Sequence, residues 1–175
     1  MADVVSIELL LDEAADARVR EEWAALAAAG LSSLGAHTAP SNAPHITLAV
    51  RPAMPEFALS DEVRALLPVP VTLGAPMLFG TGDRRVLVRS VLGGLPLLHL
   101  HAALHAALPA ALPAAEPAVD APHTRPGEWT PHVTLARRLK LDDLPRALAL
   151  LGADIPAAAV SMRRWDSAAL RVTPF

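Results

Sequence analysis

A chain of 175 residues, 53% of them hydrophobic, has room for one domain with a substantial core, and its formal net charge of −3 excludes gripping long nucleic acid by bulk electrostatics while leaving a local basic cleft for one phosphate open. The absence of cysteine removes disulfides, thiolate metal sites and cysteine nucleophiles from consideration. The opening residues Met-Ala-Asp-Val-Val-Ser-Ile-Glu lack the basic stretch of a secretion signal and no apolar run reaches membrane-spanning length, so a cytoplasmic protein without membrane attachment is expected.

Residues 4–11 (Val-Val-Ser-Ile-Glu-Leu-Leu-Leu) read as a strand buried on one or both faces. Asp12 or Asp16 can cap the following helix, which carries Val19, Trp23, Leu26 and Ala27 on one stripe and ends at Gly30. A polar loop from Ser32 to Asn42 leads to a strand over about 45–51, stopped by Pro52 and Pro55. Ser60-Asp61-Glu62 opens a short helix to Leu67. Strands over 69–79 and 85–92 flank the hairpin connection Gly80-Thr81-Gly82-Asp83. A helix over 96–108 turns Leu97, Leu100, Leu104 and Leu108 inward. The proline- and alanine-rich run from Pro109 to Pro131 reads as a long, partly extended loop, of a length that often carries function. A strand over about 132–138, a helix from Asp142-Asp143 to Leu151, and strands near 156–164 and 168–173 complete the chain.

One stretch occurs twice. Residues 44–49 read Pro-His-Ile-Thr-Leu-Ala and residues 131–136 read Pro-His-Val-Thr-Leu-Ala. Strand alternation puts His45 and Thr47 on one face, with Ile46 and Leu48 on the other. His132 and Thr134 stand in the same relation to Val133 and Leu135. A single His-x-Thr in a strand is ordinarily structural, its imidazole satisfied by a backbone carbonyl. Two copies in matching contexts, each followed by helix, strand, strand, predict a duplicated α+β unit whose two lobes bring the histidines face to face.

Two imidazoles across a cleft form an acid–base pair, because an unperturbed histidine titrates near pH ~6.5 and one can be a neutral base beside a cationic acid. Displacement at phosphorus needs both: the nucleophile loses a proton while the leaving oxygen gains one on the opposite side. Thr47 and Thr134 can donate hydroxyl hydrogen bonds to non-bridging phosphate oxygens. The arrangement calls for no metal and no cofactor.

Two His-x-Thr motifs about half a chain apart resemble the 2H phosphoesterase superfamily. Within it the chain is similar to the bacterial 2′-5′ RNA ligase and RNA 2′,3′-cyclic phosphodiesterase family over essentially its whole length. The resemblance includes Trp23-Ala24-Ala25-Leu26 with Ala29-Gly30-Leu31, Phe79-Gly80 before Val86-Leu87-Val88, Leu98-His99-Leu100-His101, and Thr134-Leu135-Ala136-Arg137. It implies one α+β domain over residues 1–175, with antiparallel sheets around a central cleft, helices outside, and one motif (44–49, 131–136) in each of two pseudo-symmetric lobes. It also implies metal-independent hydrolysis of a 2′,3′-cyclic phosphate to a 2′-phosphate, with reversible 2′-5′ ligation in some members. His45 would then protonate the leaving 3′-oxygen, His132 would activate water, and Thr47 and Thr134 would hold the phosphate. The order of acid and base rests on the resemblance alone. A monomer acting on RNA ends or small nucleotides, with no obligate protein partner, is expected.

Arg137, Arg85 and Arg89 are the further substrate-binding candidates. Regular alternation points Arg137 away from His132 unless the strand bulges or ends there, and it puts Arg85 and Arg89 on one shared face. Arg84 is comparable. Arg51 and Arg138 have the right parity but lie ~20 Å from their histidines at ~3.3 Å per residue, fit only for flanking nucleotides or solvent. His99, His101 and His105 are spaced like metal ligands, yet no carboxylate accompanies them and the same helix packs Leu100 and Leu104, which favours structural roles. His37 and His123 flank the motifs in loops and could line a cleft mouth. The parity of Trp129 favours the core, and Trp165 fits core or base stacking. With three tryptophans, three phenylalanines and no tyrosine, platforms for single-stranded RNA are few, which favours a small substrate. Two rivals remain: a nucleotide-binding module without turnover, and a metalloenzyme built on the three α-helical histidines.

Overall fold

The computed structural model describes residues 3–108 and 120–175, so the part of the expected loop over 109–119 lies outside the described residues. The predicted order of elements holds throughout the described residues: β1 (Val5–Leu11), α1 (Glu13–Ala28), β2 (His45–Arg51), α2 (Asp61–Arg64), β3 (Val69–Phe79), β4 (Arg84–Leu92), α3 (Leu95–Ala107), β5 (His132–Lys140), α4 (Leu144–Leu148), β6 (Ile155–Asp166) and β7 (Arg171–Pro174). The two shortest helices stop earlier than the sequence suggests. The chain turns toward Pro68 after Arg64, and the Asp142-Asp143 stretch is a 3₁₀ turn rather than a first α-helical turn. No helix among the described residues is long and apolar enough to cross a membrane.

The strands form one antiparallel ladder in the order β1-β2-β5-β4-β3-β6-β7, with β1 also paired to β6. The reason for one ladder rather than separate sheets is the length of β6. Its first residues, Ile155–Ala159, pair with Leu73–Val69 of β3, and Ala159–Asp166 pair with Leu11–Val5 of β1. Two four-stranded stretches thus share β6. On their other side they meet at β2 and β5, through the register pair Ile46↔Val133.

One face of the ladder carries the core. Ile7, Leu9, Ile46, Leu48, Leu87, Val133 and Leu135 are fully buried there with Val19, Trp23 and Leu26 of α1. That α1 lies against β1, β5 and β6 follows from its apolar stripe and its cap. Asp12 accepts from the Ala15 amide at 3.0 Å and from the Ala158 amide of β6 at 2.5 Å, so one carboxylate both starts the helix and ties it to the sheet.

Both motif strands bulge at the same step. Across β1 and β2, Ile7 pairs with Ala49 but Glu8 pairs with Thr47, leaving Leu48 extra. Across β4 and β5, Leu87 pairs with Ala136 but Val88 pairs with Thr134, leaving Leu135 extra. The consecutive Leu-Ala of each repeat is accordingly fully buried. An extra residue reverses the facing of everything beyond it.

Candidate active site

In each motif the histidine ring meets the carbonyl of the residue before the proline. His45 Nδ1 lies 2.7 Å from the Ala43 carbonyl and His132 Nδ1 lies 2.7 Å from the Thr130 carbonyl. A carbonyl can only accept, so Nδ1 carries the proton in both rings and Nε2 is the nitrogen left for chemistry. Ile46 and Val133 are fully buried at the pair that joins the strands, while His45, Thr47, His132 and Thr134 are half-buried on the other face. The histidines are close enough that the His45 charge acts on His132.

Indole groups hold both motifs from behind. The Trp129 Nε1–H donates to the Thr47 carbonyl at 2.9 Å, and the Trp23 Nε1–H donates to the Thr134 carbonyl at 3.0 Å. The first bulge has further support. His101 and His105 of α3 donate through Nε2 to the Leu48 carbonyl at 3.2 and 3.1 Å, and His101 Nε2 also lies 2.9 Å from the Thr124 carbonyl. His101 stacks on Trp129 with ring centroids 4.0 Å apart. Burial, then the neighbouring His105, lowers the His101 imidazole to about 4, so it stays neutral.

These contacts give His101 and His105 structural roles, as expected from their place beside Leu100 and Leu104. His101 and His105 are committed to a backbone carbonyl, His99 is exposed, and no group of three or more His, Cys, Asp or Glu residues suited to a metal ion occurs among the described residues.

The surroundings of the two reactive-side nitrogens differ. Beside His45 stands Glu8, paired in register with Thr47 and 3% exposed. Its Oε1 lies 3.6 Å from His45 Nε2 and accepts from the Ser6 hydroxyl at 2.7 Å, and its Oε2 accepts from Arg163 Nε at 2.7 Å. The residue paired with Thr134 is Val88. His132 packs instead against Phe79, with ring centroids 4.8 Å apart, and Phe79 in turn meets His123 at 5.2 Å. Desolvation by burial holds the His132 imidazole below its ordinary 6.5 against the Thr130 carbonyl, and the charges of His45, His123 and Arg137 act in the same lowering direction. Glu8, Arg163 and Phe79 were missed by sequence reasoning. A carboxylate inside the mostly apolar strand 5–11 was the available signal for the first.

The bulges rearrange the arginines. Arg137 is exposed and follows Ala136, the partner of the core residue Leu87, so past the bulge the register returns it to the face of His132, as the bulge condition allowed. Arg51, past the first bulge, pairs in register with the core residue Val5 and binds Asp120 at 2.6 Å, so its expected parity is reversed. Arg138 has a positive φ of 60° at a second irregularity in β5, and its carbonyl accepts from Arg84 at 3.3 Å.

Arg85 and Arg89 do share a face, but it is the core face: they pair with Leu139 and Val133. Arg89 is 1% exposed and donates to Glu22 Oε2 at 2.8 Å, to the Gly74 carbonyl at 3.0 Å and to the Gly152 carbonyl at 2.8 Å. It is therefore a structural clamp between α1, β3 and the loop before β6, and not a substrate contact. Arg85 donates to the Gly82 carbonyl in the hairpin, five residues along β4 from Ser90, the partner of His132. That is ~16 Å at ~3.3 Å per residue, too far for a shared phosphate.

His37 is exposed, Trp129 supports the motif from the core, and Trp165 is half-buried, paired with Ser6 on the Glu8 face of β1.

A family model described as the 2′-5′ RNA ligase superfamily matches residues 12–172. Among curated proteins none matches the chain. Among solved structures, Usb1 from Kluyveromyces marxianus is similar with a TM-score of 0.46 and 13% sequence identity, covering 99% of this chain and 99% of that one.

Proposed function

The chain belongs to the 2′-5′ RNA ligase superfamily, and from that membership we propose that it hydrolyses 2′,3′-cyclic phosphates, at RNA ends or on small nucleotides, to 2′-phosphates without a metal. His132 takes a proton from water as the water oxygen bonds to phosphorus. The bond from phosphorus to the 3′-oxygen breaks in line, and that oxygen takes the proton of His45. Thr47 and Thr134 hold the non-bridging oxygens, and Arg137 is the arginine available beside them. The fold then reads as two pseudo-symmetric lobes sharing β6, in a cytoplasmic monomer.

The observation that carries this reading is the matched anchoring of both imidazoles through Nδ1, which frees two Nε2 atoms on one face of adjacent strands. The division of labour is supported by the asymmetry around them. The buried, desolvated ring suits the base, and the ring with a carboxylate at ion-pair distance suits the acid. The family description favours a second reading at the same site, 2′-5′ ligation or cleavage of 2′-5′ phosphodiesters.

The test is turnover of nucleoside 2′,3′-cyclic phosphates in EDTA by wild type, His45→Ala and His132→Ala. We expect 2′-phosphate product from wild type and a loss of ~10²–10⁴-fold in each variant. Nucleotide binding without product would sink the enzyme reading in favour of a binding module.

A further inference from the structure

The repeat is symmetric in its histidines and threonines but not in what faces them. Across the three neighbouring strands β2, β1 and β6, the register aligns Thr47, Glu8 and Arg163 on one face. The equivalent place opposite Thr134 is filled by Val88. Glu8 is 3% exposed and all its polar contacts are made: Ser6 and His45 at Oε1, Arg163 at Oε2.

A buried ion pair is a weak source of stability, since apolar side chains of similar volume serve as well. Its position is therefore the informative feature. The carboxylate stands at Nε2 of His45, the one ring nitrogen that the backbone leaves free. An anion there, in a cleft meant to receive an anionic phosphodiester, is costly unless it performs a task. Among the described residues, the charged groups around His45 include Glu8 from β1, Arg163 behind it from β6, and His132 from β5.

We infer that Glu8, held by Ser6 and Arg163, is a positioning residue that ion-pairs with the imidazolium form of His45 and so commits His45, rather than His132, to protonating the leaving oxygen. The inference rests on the two-histidine reading above. When the His45 ring carries its second proton, the carboxylate stands at ion-pair distance from it. When the proton passes to the leaving oxygen, the neutral ring loses that attraction, which draws a proton back for the next cycle. Arg163, donating through Nε to Oε2, holds the carboxylate in place.

The experiment is an NMR titration of the histidine side chains in the whole protein, comparing wild type, Glu8→Gln and Glu8→Gln/Arg163→Met. Gln keeps the shape of Glu8, and the double variant removes the buried arginine charge that the single variant strands. In both variants the His45 midpoint should move to lower pH, with a matching inward move of the alkaline limb of kcat/KM and little change in KM. A purely structural ion pair predicts lost stability in Glu8→Gln, recovery in the double variant, and an unmoved His45 titration; that result overturns the inference and leaves the two-histidine reading standing. A shifted His45 titration in a protein that hydrolyses no cyclic phosphate sinks that reading instead.

Discussion

At the scale of single residues, the backbone decides how each histidine can act. The Pro-His step places a carbonyl at Nδ1 in both copies, so both rings share a tautomer. What distinguishes them is their neighbours: burial against Phe79 for His132, a carboxylate for His45. The consequence is a bell-shaped dependence of kcat/KM on pH. Because burial lowers the His132 imidazole, the base remains unprotonated to more acidic pH, and the acidic limb should have its apparent midpoint below 6.5. A profile that is flat from about pH 5 to 8, with chemistry rate-limiting, would count against paired acid–base catalysis. The two arginine assignments failed for a residue-scale reason. Alternation correctly grouped Arg85 with Arg89, but nothing local says that Arg89 meets Glu22, a residue far away in the chain, on the core side.

Among elements, the matching bulges matter most. Each shifts the register by one residue after the threonine, which buries Leu-Ala together and turns Arg137 toward its histidine and Arg51 away. The first bulge depends on α3, since His101 and His105 supply donors to the Leu48 carbonyl. His101 binds no proton in the folded state until about pH 4, whereas in the unfolded chain it takes one near ~6.5. The unfolded state therefore holds more protons between these values, and stability falls as pH is lowered from ~6.5 toward about 4. Melting temperatures measured from pH 7.5 down to 4 (~7.5 to ~4, spanning that window) should drop, and His101→Asn, an uncharged donor, should flatten the slope. An equal slope in wild type and His101→Asn would show that other groups govern acid sensitivity.

For the molecule as a whole, β6 is the strand that makes one ladder from two four-stranded stretches. Ala159 is paired with both Leu11 and Val69, at the handover from β3 to β1. Proline there removes an amide donor and does not fit a central strand, and the buried carbonyl left without its donor alone should cost about 1–3 kcal/mol in Ala159→Pro. Urea unfolding followed by near- and far-ultraviolet circular dichroism should show both signals moving together, because neither stretch keeps its fourth strand without the other. Separate transitions would mean that the stretches fold independently.

Much was determined by the sequence alone: the order of strands and helices, the two His-x-Thr faces, an aspartate cap at the start of α1 and the apolar backing of each motif. These depend on periodicity, proline and short-range hydrogen bonding, which act over a few residues. Only the tertiary structure decided which face the arginines occupy, what pairs with Arg89, that α3 histidines brace a bulge, and that Glu8 stands at one reactive nitrogen while Val88 takes the equivalent place at the other. Each of those is set by register between strands distant in the chain. A one-residue bulge, which leaves no separate mark in the local hydrophobic pattern, is enough to reverse it.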